Sequence, residues 1–143
     1  MAPNPEALRD VLRKHKIGVL ATIRKDGRPQ LSTVMYHYDP ETNLIRVSVT
    51  DNRAKTRNVI RDPRAVMHVR GASDWEYAVA DGAVTLSPVT EVPGDAGSDE
   101  LVDLYRTIAG KDHPDWDEYR RAMADEHRRV LKLSVDHLYG MAK

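Results

Sequence analysis

The 143-residue chain contains no cysteine. This absence excludes a disulfide framework, thiol catalysis, iron–sulfur clusters and zinc held by cysteine. Its 22 basic and 22 acidic residues leave a formal net charge of zero, which argues against binding of nucleic acid through charge. The apolar run Ile17–Ile23 is too short for a signal peptide or a membrane span. We therefore expect a cytoplasmic protein that neither spans a membrane nor binds nucleic acid.

The sequence is also poor in catalytic motifs. It has no glycine-rich loop of the dinucleotide or nucleoside-triphosphate type, and no serine lies in a nucleophile elbow. The six histidines lack the paired spacing of a metal site, and no pair of carboxylates is singled out for acid–base chemistry. We predict no metal site and no catalytic side chain. An enzyme with this sequence would need a cofactor to carry its reaction.

The remaining composition predicts one globular domain, residues 1–143, with 41% hydrophobic and 31% charged residues. Asn4 and Pro5 are typical of a helix start, and a short basic helix precedes Asp62 and Pro63. Of two later helices, the first ends at Gly110 and the second begins at Asp115. A bend at residues 81–82 would help a sheet to curl. Residues 136–143 are predicted to be a tail. Six strands are predicted, at residues 17–23, 30–38, 44–50, 64–70, 75–87 and 129–135. This order favours a small antiparallel barrel with peripheral helices.

The end of the third strand is the first candidate for a binding site. Asp51 and Asn52 are positioned to cap the basic helix, whose first turn holds cations in place of the acids that suit a helix dipole. Unpaired backbone N–H groups and cationic side chains at a helix N-terminus predict a phosphate site. The competing interpretation is a solvated basic face on a surface helix. The residues concerned are Arg53, Lys55, Thr56 and Arg57.

A second set of polar side chains lies on the strands. Gln30 and Ser32 share one face of the second strand and Thr33 lies on the other, while Ser48 lies on the adjacent third strand. A ring with carbonyl edges could lie across these strands with its phosphate at the helix start. The alternative is simply the hydrated side of a sheet. Trp75 and Tyr77 share a face and would stack on a planar ligand or a partner subunit, or else pack in the core.

Several segments together resemble one family, the split β-barrel flavin and deazaflavin oxidoreductases related to pyridoxamine 5′-phosphate oxidase. The most similar branch is the actinobacterial one that uses coenzyme F420, a 5-deazaflavin. The resemblance covers nearly the whole chain. The segments that carry it are Ile17-Gly-Val-Leu-Ala-Thr-Ile, Asp26-Gly-Arg-Pro-Gln30, Arg53-Ala-Lys-Thr-Arg-Asn58, Asp62-Pro-Arg, Trp75-Glu-Tyr-Ala-Val-Ala-Asp-Gly and Leu104-Tyr-Arg-Thr-Ile-Ala-Gly.

The resemblance implies a six-stranded antiparallel split β-barrel that forms a homodimer with two cofactor sites at the subunit interface. It also implies hydride transfer from reduced F420 to an electron-poor small molecule, such as a quinone, an enone or a tetrapyrrole. By motif match, Arg53, Lys55, Thr56 and Asn58 would hold the cofactor phosphate with help from Ser48. Gln30, Ser32 and Thr33 would contact the ring, and Trp75 and Tyr77 would approach from the partner subunit.

One departure from the family limits the substrate. The chain lacks the arginine-bearing C-terminal motif of true pyridoxamine phosphate oxidases and ends in His137-Leu-Tyr-Gly-Met-Ala-Lys, which argues against vitamin B6 oxidation. Two alternatives stay open. FMN offers the same phosphate and a similar ring, so the cofactor could differ, and binding of a cofactor does not by itself imply catalysis. One is an FMN-dependent oxidase or reductase on the same scaffold. The other is a carrier that binds the cofactor without catalysis.

Overall fold

A single antiparallel sheet of seven strands forms the centre of the molecule, which is described for residues 4–143 by a computed structural model. The three residues that precede Asn4 in the predicted domain lie outside this description. The strands are β1 (Ile17–Ile23), β2 (Pro29–Met35), β3 (His37–Asp39), β4 (Leu44–Thr50), β5 (Arg64–Arg70), β6 (Tyr77–Leu86) and β7 (Arg128–Met141). The helices are α1 (Pro5–Lys14), α2 (Ala54–Arg61), α3 (Ala96–Ala109) and α4 (Trp116–Asp125).

The sheet curls into a half-barrel whose two edge strands are neighbours in the sequence. Its strand order is β2-β1-β5-β6-β7-β4-β3, so β2 and β3 are the edge strands. Only Tyr36 separates β2 from β3 along the chain, and two residue steps span at most about 7 Å. The ends of these two edge strands therefore lie close together at Tyr36, whose side chain is buried and whose hydroxyl donates to the carbonyl of Leu12 at 2.7 Å. The predicted antiparallel sheet with peripheral helices is confirmed as a half-barrel of seven strands. The count of six strands was wrong because residues 30–38 divide at Tyr36 into two strands.

Two further strand boundaries differ from the predictions. β6 begins at Tyr77, so Trp75 belongs to the preceding turn. The predicted tail after residue 135 is wrong, since β7 continues to Met141 and pairs with β6 as far as Tyr77. The predicted bend is confirmed as a register shift at residues 81 and 82. Glycine is required there, because a Cβ at Gly82 would lie 1.8 Å from the carbonyl oxygen of Ser134.

The helices cover the sheet on two sides. α1 starts at Asn4, whose side chain accepts from the Glu6 N–H, and it buries Leu8, Val11 and Leu12 in the barrel core. Each such side chain removed from water contributes about 1.5–3 kcal/mol. On the opposite face, Leu101 and Leu104 of α3 pack against Val130 of β7. No helix within residues 4–143 combines the length and apolarity needed to cross a bilayer.

Candidate functional site

The start of α2 is positively charged and carries no side-chain cap. Its N-cap residue is Arg53, and its first turn has no acid. The predicted cap by Asp51 and Asn52 was therefore wrong. Asp51 is instead paired with two arginines, because its Oδ1 accepts from Nη1 of Arg129 at 2.8 Å and lies 3.7 Å from Nη1 of Arg57. The helix dipole at this end is left without a compensating anion from its own turn.

Two predicted phosphate contacts, Thr56 and Asn58, lie beneath the surface. Thr56 is 0% exposed and its hydroxyl donates to the Thr50 carbonyl at 2.8 Å. Asn58 is also buried, and its amide donates to the hydroxyl of Thr22 at 3.1 Å. The prediction that these side chains contact a phosphate needs correction, since both are used to fix α2 to the barrel. The motif does start a helix, as the sequence predicted. Of its four predicted phosphate ligands, however, Thr56 and Asn58 are buried.

Where β2 meets β4, a cavity of ≈ 360 Å³ opens on the outer side of the barrel. We call it the split cavity. α3 and α4 form its opposite wall. It brings together three of the predicted site residues, Thr33, Ser48 and Lys55, from β2, β4 and α2. Its lining residues are Thr33, Val34, Met35, Ser48, Lys55, Leu104, Tyr105, Ile108, Tyr119 and Arg128.

The split cavity is electropositive at one end. The pKa of Lys55 is lowered, first by burial of the ammonium group and then by the nearby guanidinium groups of Arg53 and Arg128. Like charges held this close favour the neutral form of the lysine. An anion bound between them would remove the repulsion, so the arrangement suits a phosphate or carboxylate.

Arg128 was missed by sequence reasoning. Its Nη1 lies 3.5 Å from the Ser48 hydroxyl and its Nη2 donates to Glu126 at 3.2 Å. Its Nε is buried and has no hydrogen-bond partner among residues 4–143. The residue reaches Ser48 because β7 pairs with β4 with Arg128 opposite Thr50. No local motif marks it, and only that strand pairing could have found it.

The opposite wall of the split cavity is aromatic, and it too was missed. Tyr105 and Tyr119 line the cavity with ring centroids 5.2 Å apart, and both contact His113 and Trp116 behind them. The Tyr119 hydroxyl donates to the Leu101 carbonyl at 3.1 Å, and burial raises the pKa of Tyr119 to about 12. This phenol therefore stays neutral and fixed, and the wall offers flat apolar surface to a ring.

Gln30 and Ser32 lie on the other face of β2 from Thr33. They are opposite Thr22 and Leu20 of β1, whose side chains are buried on the inner face. Neither lines the split cavity. Arg53 lines a neighbouring concavity of ≈ 680 Å³ with Asp51, Asn52, Glu126 and their neighbours. The structure thus separates Gln30 and Ser32 from the cations with which sequence reasoning grouped them.

Trp75 and Tyr77 lie away from the split cavity of their own chain. Trp75 is 80% exposed in the turn before β6, next to Met141 at the end of β7. Tyr77 stacks on His68 with ring centroids 5.4 Å apart. The alternative of core packing is wrong for Trp75. Their predicted contact with a cofactor from a partner subunit stays a prediction.

The chain is similar to one family model and to several known proteins of related fold. The family model described as pyridoxamine 5′-phosphate oxidase matches residues 5–142. An F420H(2)-dependent biliverdin reductase of Mycobacterium tuberculosis is 24% identical over 131 residues, 92% of this chain and 83% of that protein. Among solved structures, an F420 reductase has a TM-score of 0.66 at 24% identity, covering 94% of this chain and 98% of its own. A FAD-binding protein of Mesorhizobium loti has a TM-score of 0.68 at 20% identity, covering 98% and 95%.

Proposed function

Because the chain belongs to the pyridoxamine 5′-phosphate oxidase family, we propose that it is a cytoplasmic F420-dependent oxidoreductase. It would transfer hydride from reduced F420 to an electron-poor small molecule, of the quinone, enone or tetrapyrrole class. The observation that carries the proposal is the split cavity, where Lys55 and Arg128 face an aromatic wall across the open edge of the barrel. The F420-dependent relatives support the choice of cofactor.

The residues of the split cavity fit a phosphorylated ring cofactor. Lys55, Arg128 and the Ser48 hydroxyl supply donors for a phosphate, while Met35, Tyr105 and Tyr119 supply apolar surface for part of a ring. Hydrogen bonds to charged groups contribute about 1.5–3 kcal/mol each. Three such contacts give about 4.5–9 kcal/mol. Micromolar affinity corresponds to about 8 kcal/mol net of an association cost of about 4–15 kcal/mol, so burial of the ring must supply the remainder.

The protein's part in the reaction is binding and orientation. When bound, the reduced deazaflavin supplies the hydride. Lys55 and Arg128 would hold its anionic end, so that the ring lies in one orientation against the sheet edge. Tyr105 and Tyr119 would exclude water from one face of that ring, and placing two reactants face to face can itself lower the barrier by several kcal/mol. No side chain of the cavity is needed as a nucleophile.

We further propose a homodimer, with the cofactor sites at its interface. The outer face of β1 and β2 exposes three large apolar side chains: Ile17 is 59%, Leu31 62% and Met35 56% exposed. Contiguous exposed apolar surface of this kind is typical of an interaction site. Met35 also lines the split cavity, so a second copy seated on this face would extend that cavity. Trp75 and Tyr77 of the partner are the residues we expect to reach it.

An FMN-dependent enzyme on the same scaffold is the second candidate. The FAD-binding neighbour from Mesorhizobium loti supports it, because that protein has the same fold. The donors of the split cavity would hold the phosphate of FMN equally well. A yellow protein after purification would favour FMN, whereas a colourless protein that later takes up F420 favours the first proposal. A carrier would bind F420 but show no substrate-dependent oxidation of its reduced form.

The deciding experiment is a titration of the purified protein with F420, followed by intrinsic fluorescence. We expect saturable quenching with a dissociation constant in the micromolar range. Reduced F420 is then mixed with a panel of quinones, enones and tetrapyrroles, and its oxidation is followed by absorbance with and without the protein. Absence of saturable quenching would contradict the proposal, and quenching without any enzyme-dependent oxidation across the panel would favour a carrier.

A further inference from the structure

Arg128 is the unexplained residue of the split cavity. We propose that Arg128 is the principal ligand of the cofactor phosphate, and that it holds this group together with Lys55 and Ser48 inside the split cavity. This inference rests on the proposed function and makes Arg128 its leading phosphate contact. It places the phosphate between α2, β4 and β7, whereas the sequence predicted a site formed mainly by the motif at residues 53–58.

The donors of Arg128 are only partly used. A guanidinium group has five N–H donors in a fixed fork. In Arg128 one is bonded to Glu126 at 3.2 Å and one lies at 3.5 Å from Ser48, the outer limit of a hydrogen bond. The buried Nε has no partner within residues 4–143. Arg128 lines the split cavity, and a phosphate there would accept from the remaining donors of its two Nη atoms through two parallel bonds.

The positive charge of the split cavity also favours a bound phosphate. Arg128 and Lys55 line one cavity of ≈ 360 Å³, and Arg53 lies close enough to act on the same lysine. Burial and these two arginines together lower the pKa of Lys55. Holding cations together in a partly dry site destabilises the free protein, and a dianionic phosphate between them would reverse that cost.

The three proposed ligands are held in place by separate contacts. Ser48 and Arg128 lie on β4 and β7, which pair from Thr50↔Arg128 through Ser48↔Val130. Lys55 lies in the first turn of α2, which Thr56 and Asn58 fix to the barrel. The buried motif residues therefore position Lys55 toward the cavity. This gives Thr56 and Asn58 a positioning role in place of the direct contact predicted from the sequence.

The test compares two ligands that differ only at the phosphate end. F420 and the same deazaflavin without its phosphate and tail are titrated into wild type, Arg128→Gln and Arg128→Lys, with fluorescence as the readout. We expect Arg128→Gln to weaken F420 binding by about 10- to 100-fold and to leave binding of the phosphate-free ring unchanged. Arg128→Lys should recover part of the loss, because it keeps the charge without the fork.

Two controls separate a ligand from a structural residue. Arg121→Gln removes an exposed cation of α4 that does not line the cavity, and it should not change F420 binding. Thermal unfolding of Arg128→Gln should show a midpoint close to wild type, since the partly exposed ion pair with Glu126 that it removes contributes at most about 1 kcal/mol. A double variant with Lys55→Gln should weaken binding by less than the product of the two single effects, since both side chains hold one group.

Three results would overturn the inference. They are unchanged F420 binding in Arg128→Gln, equal weakening of both ligands, and a loss of stability that accounts for the effect. If wild type binds no F420, the proposed cofactor fails, and the same variants are then titrated with FMN and riboflavin. Arg128 remains the phosphate ligand if only FMN is weakened, and the inference fails with the cofactor if neither ligand binds.

Discussion

The pH dependence of cofactor affinity tests the electropositive end of the split cavity most directly. Burial and two arginines lower the pKa of Lys55 from 10.5. A bound phosphate favours the protonated ammonium, so binding raises this pKa and takes up a proton over part of the alkaline range. We therefore expect the affinity of wild type for F420 to fall as the pH rises through the lowered pKa.

The size of the effect follows from the contact that is lost. A charge-assisted hydrogen bond contributes about 1.5–3 kcal/mol, so complete deprotonation should raise the dissociation constant about 10- to 150-fold. Lys55→Met should show this weaker binding at all pH values. Lys55→Arg should keep tight binding across the range, because a guanidinium group does not lose its proton. Tyr119 does not add to the profile below its pKa of about 12.

The assay is a series of fluorescence titrations from neutral pH to about the unperturbed lysine pKa, at constant ionic strength. Lys55→Arg serves as the matched control, because any titration of the ligand itself appears in it as well. The free protein offers an independent check. Its unfolded state binds the Lys55 proton more tightly than its folded state, so the free energy of unfolding should rise with pH between the lowered pKa and 10.5. Parallel pH profiles in wild type and both variants would refute the reasoning.

Two further predictions concern the scaffold. Gly82→Ala places a Cβ 1.8 Å from the Ser134 carbonyl oxygen, so the bulge between β6 and β7 must shift. The free energy of unfolding in urea should fall by about 1–3 kcal/mol. An unchanged midpoint would mean that the two strands can move apart there without cost. Leu31→Lys adds a charge to the exposed apolar face of β2 and should convert a dimer to a monomer in light scattering, without loss of monomer stability. Thr85→Lys, at an exposed position of β6 away from that apolar face, is its control; a wild-type monomer, or a dimer that survives Leu31→Lys, would remove this face from the proposal.

Local signals in the sequence were sufficient for much of the fold. The alternation of Ile45, Val47 and Val49 with polar residues predicted a strand with one buried face, and that is the pattern of β4. Gly110 ends α3 in the left-handed conformation, with a φ of 71° that favours glycine. Asp115 caps α4 by accepting from the Glu118 N–H at 3.1 Å. Each of these features depends on residues within a few positions of one another.

The strand boundaries that were wrong depend on distant partners. The end of β7 contains Asp136 and Gly140, residue types that are depleted in strands, so local propensity does not indicate a strand there. It is extended because β6 pairs with it as far as Met141. The break at Tyr36 has a similar cause, since the chain must pass from one edge of the sheet to the other at that residue. The approach of the two edge strands depends on the curl of all seven strands together, and no short window of sequence contains it.

The residues of the candidate site likewise divide into those that a local motif predicts and those that only strand pairing brings together. Lys55 was found because it lies within a short motif at a strand-to-helix junction, where helix geometry alone predicts anion binding. The same motif misled at Thr56 and Asn58, because a helix packed on a barrel turns part of its circumference inward. Arg128 is 80 residues from Ser48 and becomes its neighbour only through the register of β4 and β7. A site built at the meeting point of two sheet edges must draw on residues far apart in the chain, so its cations can be recognised as one group only after the strands are paired.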